Sequence, residues 1–125
     1  MKNLEEKYPV SILSRSFAFG VKVVRLASLL PKNPAGFVLA DQLVRSGTSI
    51  GANLVEAQEA HSQKDFLYKV VFALKEAKET KYWLDILGES KLLTGVELED
   101  LRREISEITR ILVVSVKKLK EKQSK

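Results

Sequence analysis

The chain contains no cysteine, a single histidine, a single tryptophan and three prolines in 125 residues. Without cysteine there is no disulfide framework and no thiolate metal site. With His61 as the only imidazole, a histidine-rich metal cluster is excluded, and Ser49 has no histidine partner in its sequence context. No stretch approaches the roughly 18 consecutive apolar residues that a membrane span requires. The first residues, Met1-Lys2-Asn3-Leu4-Glu5-Glu6-Lys7, are polar and acidic, with no apolar region behind a basic start. A secretory signal is therefore not expected, and the expected location is the cytoplasm.

What is present is balanced. Hydrophobic residues make up 45% and charged residues 30%, which argues for a folded chain and against disorder. The length suits one domain over residues 1–125, with enough core to fold without staples. The formal net charge of +5 is unevenly placed. Lys117, Lys118, Lys120, Lys122 and Lys125 against Glu121 give the last nine residues +4, leaving +1 for the other 116. The basic balance thus comes from a short tail rather than from the body.

Apolar periodicity predicts four helices, over about residues 11–30, 34–60, 62–87 and 95–122. The first carries two stripes: Leu13, Phe17, Val21, Val24, and Ile12, Phe19, Val23, Leu26, Leu30. It is apolar over more than half its circumference, so it should pack on two sides. Pro31-Lys32-Asn33-Pro34 ends it, and Asn33 with Pro34 suits the start of the second helix. In that helix Gly47 and Gly51 are poor helix formers at i, i+4 spacing. They signal either a close approach of two helices or a break at Gly47. Ser62 with Asp65 opens the third helix, Gly88 suits its C-cap, and Thr94 with Glu97 reads as a capping box for the fourth. Leu98, Leu101, Ile105, Ile108, Leu112, Val116 and Leu119 recur at three- and four-residue steps, a coiled-coil-like seam. Short connections make the expected fold an all-α, antiparallel up-down-up-down four-helix bundle.

The most informative stretch is polar. Gln42, Arg45, Ser49, Asn53 and Glu56 fall on one face of the second helix. A solvated face usually carries interchangeable charges, whereas this mixture predicts a polar seam inside the bundle in which each group has a partner. In an antiparallel hairpin turning near His61, Arg45 is level with Glu76 and Glu79, and Glu56 with Tyr68 and Lys69. An ion pair from Arg45 to Glu79, or to Glu76, is therefore expected, with a role in register. A ligand-binding or catalytic seam is the alternative.

Chemistry finds little purchase. Glu56-x-x-Glu59 and Glu76-x-x-Glu79 evoke a carboxylate metal site, but the di-iron pattern needs Glu-x-x-His on two helices, and none exists. No nucleophile elbow surrounds Ser49, and no Gly-Lys-Ser/Thr follows Gly47 and Gly51. The expectation is a protein that is not an enzyme and holds no cofactor or metal.

Three segments together carry a resemblance: Gln42-x-x-Arg45-Ser46-x-x-Ser49-Ile50-x-x-Asn53-Leu54-x-Glu56-Ala57, then Ser62-x-Lys64-Asp65-Phe66, then Ala73-Leu74-Lys75-Glu76-Ala77-x-Glu79-Thr80-x-Tyr82-Trp83-Leu84. The chain resembles the bacterial rRNA-intervening-sequence proteins, and is similar in fold to the accessory variability protein of diversity-generating retroelements. The resemblance implies a four-helix bundle, a homo-pentamer and no known enzymatic activity. It also implies a nucleic-acid role, supported in the retroelement relative by a basic surface and a reverse-transcriptase partner.

Surplus apolar residues, with Phe19, Phe72, Tyr82 and Trp83 as candidates, fit an oligomer interface. Two functions compete. One is an oligomeric adaptor binding RNA or DNA through Lys117, Lys118, Lys120, Lys122 and Lys125, joined by Lys64, Lys69, Arg102, Arg103 and Arg110 if these converge. The other is a protein-interaction scaffold without nucleic acid, its tail lysines merely solvated and complementing a helix dipole.

Overall fold

Three of the four helices begin where a side chain can satisfy a free backbone N–H. The structure, a computed structural model, describes residues 11–124. Helix α1 spans Ile12–Ala27, α2 Pro34–Ala57, α3 Gln63–Glu89 and α4 Val96–Gln123. The Ser11 hydroxyl accepts from Ser14 N at 3.2 Å, Asn33 Oδ1 from Gly36 N at 2.8 Å, and Ser62 Oγ from Asp65 N at 3.0 Å. Pro34 occupies the first turn of α2, where its missing N–H is harmless.

Two ends depart from expectation. Helix α3 runs through Gly88 to Glu89, and the left-handed residue that follows is Lys91, at φ 61°. Helix α4 is preceded by Gly95 at φ 124° and has no side-chain cap, so the Thr94–Glu97 capping box does not form. A glycine in a conformation that other residues avoid turns the chain there instead. Helix α1 also stops at Ala27 rather than Leu30. Leu29 and Leu30 continue as tight turns onto Leu26 and Ala27, and Leu30 still reaches the core.

Cross-helix partners fix the register. Arg45 meets Glu76 and Glu79, and Glu56 meets Lys69, so residue numbers rise along α2 as they fall along α3. Arg15 to Glu104 sets α1 against α4. Arg102 to Asp85 and Gln123 to Gln63 do the same for α3 and α4. Helix α1 packs on α2 and α4, and α3 packs on α2 and α4; among the described residues the diagonal pairs do not touch. The result is an up-down-up-down four-helix bundle.

The core is the predicted seam of α4 with its counterparts: Ile12, Phe19, Val23 and Leu26 from α1, Leu43, Ile50 and Leu54 from α2, and Phe66, Val70, Leu84 and Leu87 from α3. Gly47 lies in an unbroken helix. A methyl group there would sit 2.8 Å from Val23 Cγ1, so the glycine sets how closely α1 and α2 approach. No described helix is long and apolar enough to cross a membrane.

Candidate functional site

The polar stripe of α2 lies along the edge of the α2–α3 contact, not inside the bundle. Its centre is Arg45, whose side chain is 48% exposed. Arg45 Nη1 is 3.5 Å from Glu76 Oε2, and Nη2 donates to Glu79 Oε2 and to Gln42 Oε1. Trp83 Nε1 donates to the same Glu79 oxygen at 3.0 Å, which orients the carboxylate. About three helical turns further along α2, Lys69 Nζ donates to Glu56 Oε1 at 3.0 Å. This hydrogen bond, with the attraction of the Glu56 charge, raises the Lys69 pKa.

Ser49 and Asn53 do not reach across. Ser49 Oγ donates to the Arg45 carbonyl and Asn53 Nδ2 to the Ser49 carbonyl, both within α2. The buried polar contact between the two helices is one that the stripe does not include: Thr80 Oγ1 lies 2.9 Å from Ser46 Oγ. Both residues are fully buried. Small hydroxyls flanked by apolar neighbours look like ordinary helix positions in sequence. The only available signal was that Ser46 and Thr80 come level in the same antiparallel register.

The cations separate into two groups. At the end where α1 meets the α3–α4 turn, the arginines of α4 are paired with carboxylates. Arg102 contacts Asp85 at 3.2 Å, Glu99 at 3.3 Å and Glu89 at 3.8 Å, while Arg103 pairs with Asp100. Near the middle of α4, Arg110 pairs with Glu107 at 2.7 Å, and its hydrogen bond is the main reason that the Glu107 carboxyl titrates below its ordinary value. Arg102, Arg103 and Arg110 therefore do not converge with the tail lysines, and Lys69 is engaged by Glu56.

At the other end the lysines are helical and exposed. Helix α4 continues to Gln123, whose Nε2 donates to the Gln63 carbonyl at 2.6 Å. That bond fastens the last turn of α4 to the first turn of α3. Lys120, one turn before Gln123, and Lys64, next to Gln63, are thus brought to one surface, with Lys117 a further turn along. Among the described residues, no carboxylate pairs with Lys64, Lys117, Lys118, Lys120 or Lys122. Lys125 lies outside the described residues.

The apolar surplus is on α1 and α3, as expected, but Phe19 is not part of it. Phe19 is 1% exposed and belongs to the core of the bundle, which removes it as a candidate interface residue. The exposed apolar side chains of α1 are those of its other stripe: Leu13, Phe17, Val21 and Val24 line a groove of about 510 Å³ against Thr48, Ala52 and Val55 of α2, floored by Gly20 and Gly51. Phe17 is 74% exposed there. Phe72 and Trp83 are half-buried and Tyr82 is exposed on α3. Among the described residues, no three acidic or histidine side chains are grouped to share a metal ion.

A four-helix bundle with a lysine-rich end, an apolar groove and a laced polar edge belongs to the class of small helical proteins whose distinguishing features are on their surface. Residues 9–114 match the family described as 23S rRNA-intervening sequence protein, and the chain belongs to that family. A solved structure from Bacteroides thetaiotaomicron, described as a protein of unknown function from the S23 ribosomal protein family, is 40% identical. The match covers 85% of this chain and 95% of that one, with a TM-score of 0.78. No curated protein matches the chain significantly.

Proposed function

We propose that the protein is a non-enzymatic, self-associating helical adaptor that binds nucleic acid through the lysine-rich end of the bundle. The observation that carries this reading is the union of Lys64, Lys117 and Lys120 on one surface, with no carboxylate paired to them among the described residues. Unpaired lysines on a rigid helix pair present fixed positive charge to phosphates, and their counterions are released when a polyanion binds. The family name links the chain to the rRNA intervening sequence, which makes RNA the first partner to test. The α1–α2 groove, with Phe17 beside it, favours self-association, and a pentamer is the assembly that the family resemblance implies. The same groove supports the second reading, a scaffold for another protein in the cytoplasm.

Binding of structured RNA should weaken steeply with salt. Replacing Lys64, Lys117 and Lys120 together by glutamine should reduce the log–log salt slope by about 2. Light scattering with and without nuclease gives the subunit number in the same preparation. Undetectable RNA binding at low salt would remove the nucleic-acid reading and leave the scaffold.

A further inference from the structure

Resting on that reading, we infer that the lysine-rich end recognises single-stranded nucleic acid, with Tyr68 as a platform on which a base stacks. Tyr68 lies one turn after Lys64 on the outer face of α3 and is 60% exposed. Phe72 follows one turn later, its ring centroid 6.2 Å from that of Tyr68 at an interplanar angle of 41°. Lys75 Nζ lies 5.2 Å from the centre of the Phe72 ring. The outer face of α3 thus reads Lys64, Tyr68, Phe72, Lys75, with Lys117 and Lys120 of α4 alongside.

This alternation of cation and ring suits a single strand. Phosphates need positive charge at intervals, and unpaired bases need a flat apolar surface, which any base can use. A duplex hides its base faces and would use only the lysines. Phe72 and Lys75 support one side of Tyr68, which limits its motion while leaving the ring accessible. A protein partner fits this surface less well, because lysines are depleted from the centres of protein interfaces. Of the nearby acids, Glu56 is engaged by Lys69 and Asp65 also acts on Lys69, and among the described residues neither Asp65 nor Glu121 forms an ion pair with Lys64, Lys117 or Lys120. Tyr82 offers a comparison. It is also an exposed aromatic on α3, 58% exposed, but it lies toward the end with the paired arginines.

The test uses fluorescence anisotropy at low salt with three probes of about 12 nucleotides: oligouridylate, its duplex with oligoadenylate, and an abasic strand. The wild type should bind oligouridylate more tightly than either of the others. Tyr68→Ala should weaken oligouridylate binding roughly 5- to 150-fold while leaving the abasic strand unaffected. Tyr68→Phe should restore the affinity, and Tyr82→Ala should not alter it. Equal binding of all three probes, or an unaltered Tyr68→Ala affinity, overturns the stacking role and leaves the lysine surface standing. Failure of the wild type to bind any probe overturns both.

Discussion

The two ends of this bundle carry similar numbers of basic side chains and use them differently. Near the α3–α4 turn, the arginines of α4 lie within reach of carboxylates: Arg102 with Asp85, Glu99 and Glu89, Arg103 with Asp100. Around the α2–α3 turn and the end of α4, lysines dominate, and among the described residues Lys69 is the one that is paired. Forked guanidinium groups suit multidentate pairing between helices, whereas lysine ammoniums remain hydrated point charges available to an incoming polyanion. A count of charges therefore says little about binding. What matters is which charges already have partners.

The contrast is one of surface, and the core beneath should not share it. Leu98 at the start of α4 and Phe66 at the start of α3 are both buried, one below each end. Changing either to alanine should cost about 2 to 5 kcal/mol in urea denaturation. A much smaller loss at Phe66 would mean that the lysine end is loosely packed and not a rigid platform.

A smaller effect is expected at Arg102, which ties α4 to Asp85 and Glu89 of α3. Arg102→Met should lower stability by about 1 kcal/mol, since such partly exposed pairs contribute little individually. RNA affinity should not move. A loss of RNA binding in this variant would erase the distinction between the two ends.

The smallest effect is one of pH. The Arg110 hydrogen bond holds the Glu107 carboxyl below its ordinary range. A depressed carboxyl contributes stability above the unfolded value of about 4.3, and that contribution disappears as pH falls through the folded value. Lys69 runs the other way. Its raised pKa gives stability below about 10.4 that is lost as pH rises through the folded value. Glu107→Gln should therefore be slightly less stable than the wild type at neutral pH and indistinguishable from it in strong acid, as read by thermal melts. A difference that persists in acid would assign the effect to packing.

Much of this was readable along the chain. The caps at Asn33 and Ser62 follow from local chemistry, because a short polar side chain can satisfy only a nearby N–H. The antiparallel register placed Arg45 opposite Glu76 and Glu79 before any coordinates did. The reading of Gly47 as a close approach followed from apolar periodicity running through it. The errors share one cause. Thr94, Gly88 and Phe19 suit their expected roles by residue type, yet Gly95 turns the chain before α4, Lys91 follows α3 in a left-handed conformation, and Phe19 lies on the stripe of α1 that faces the core.

By itself, then, the sequence determined the helices, their pairing order and the partners available to Arg45, because period, caps and loop length act over a few residues. The tertiary structure decided which of two apolar stripes on α1 became core and which hydroxyls met in the interior. It also decided which lysines remained without a carboxylate. Those outcomes depend on the rotation of each helix about its axis, which is set only when all four pack together.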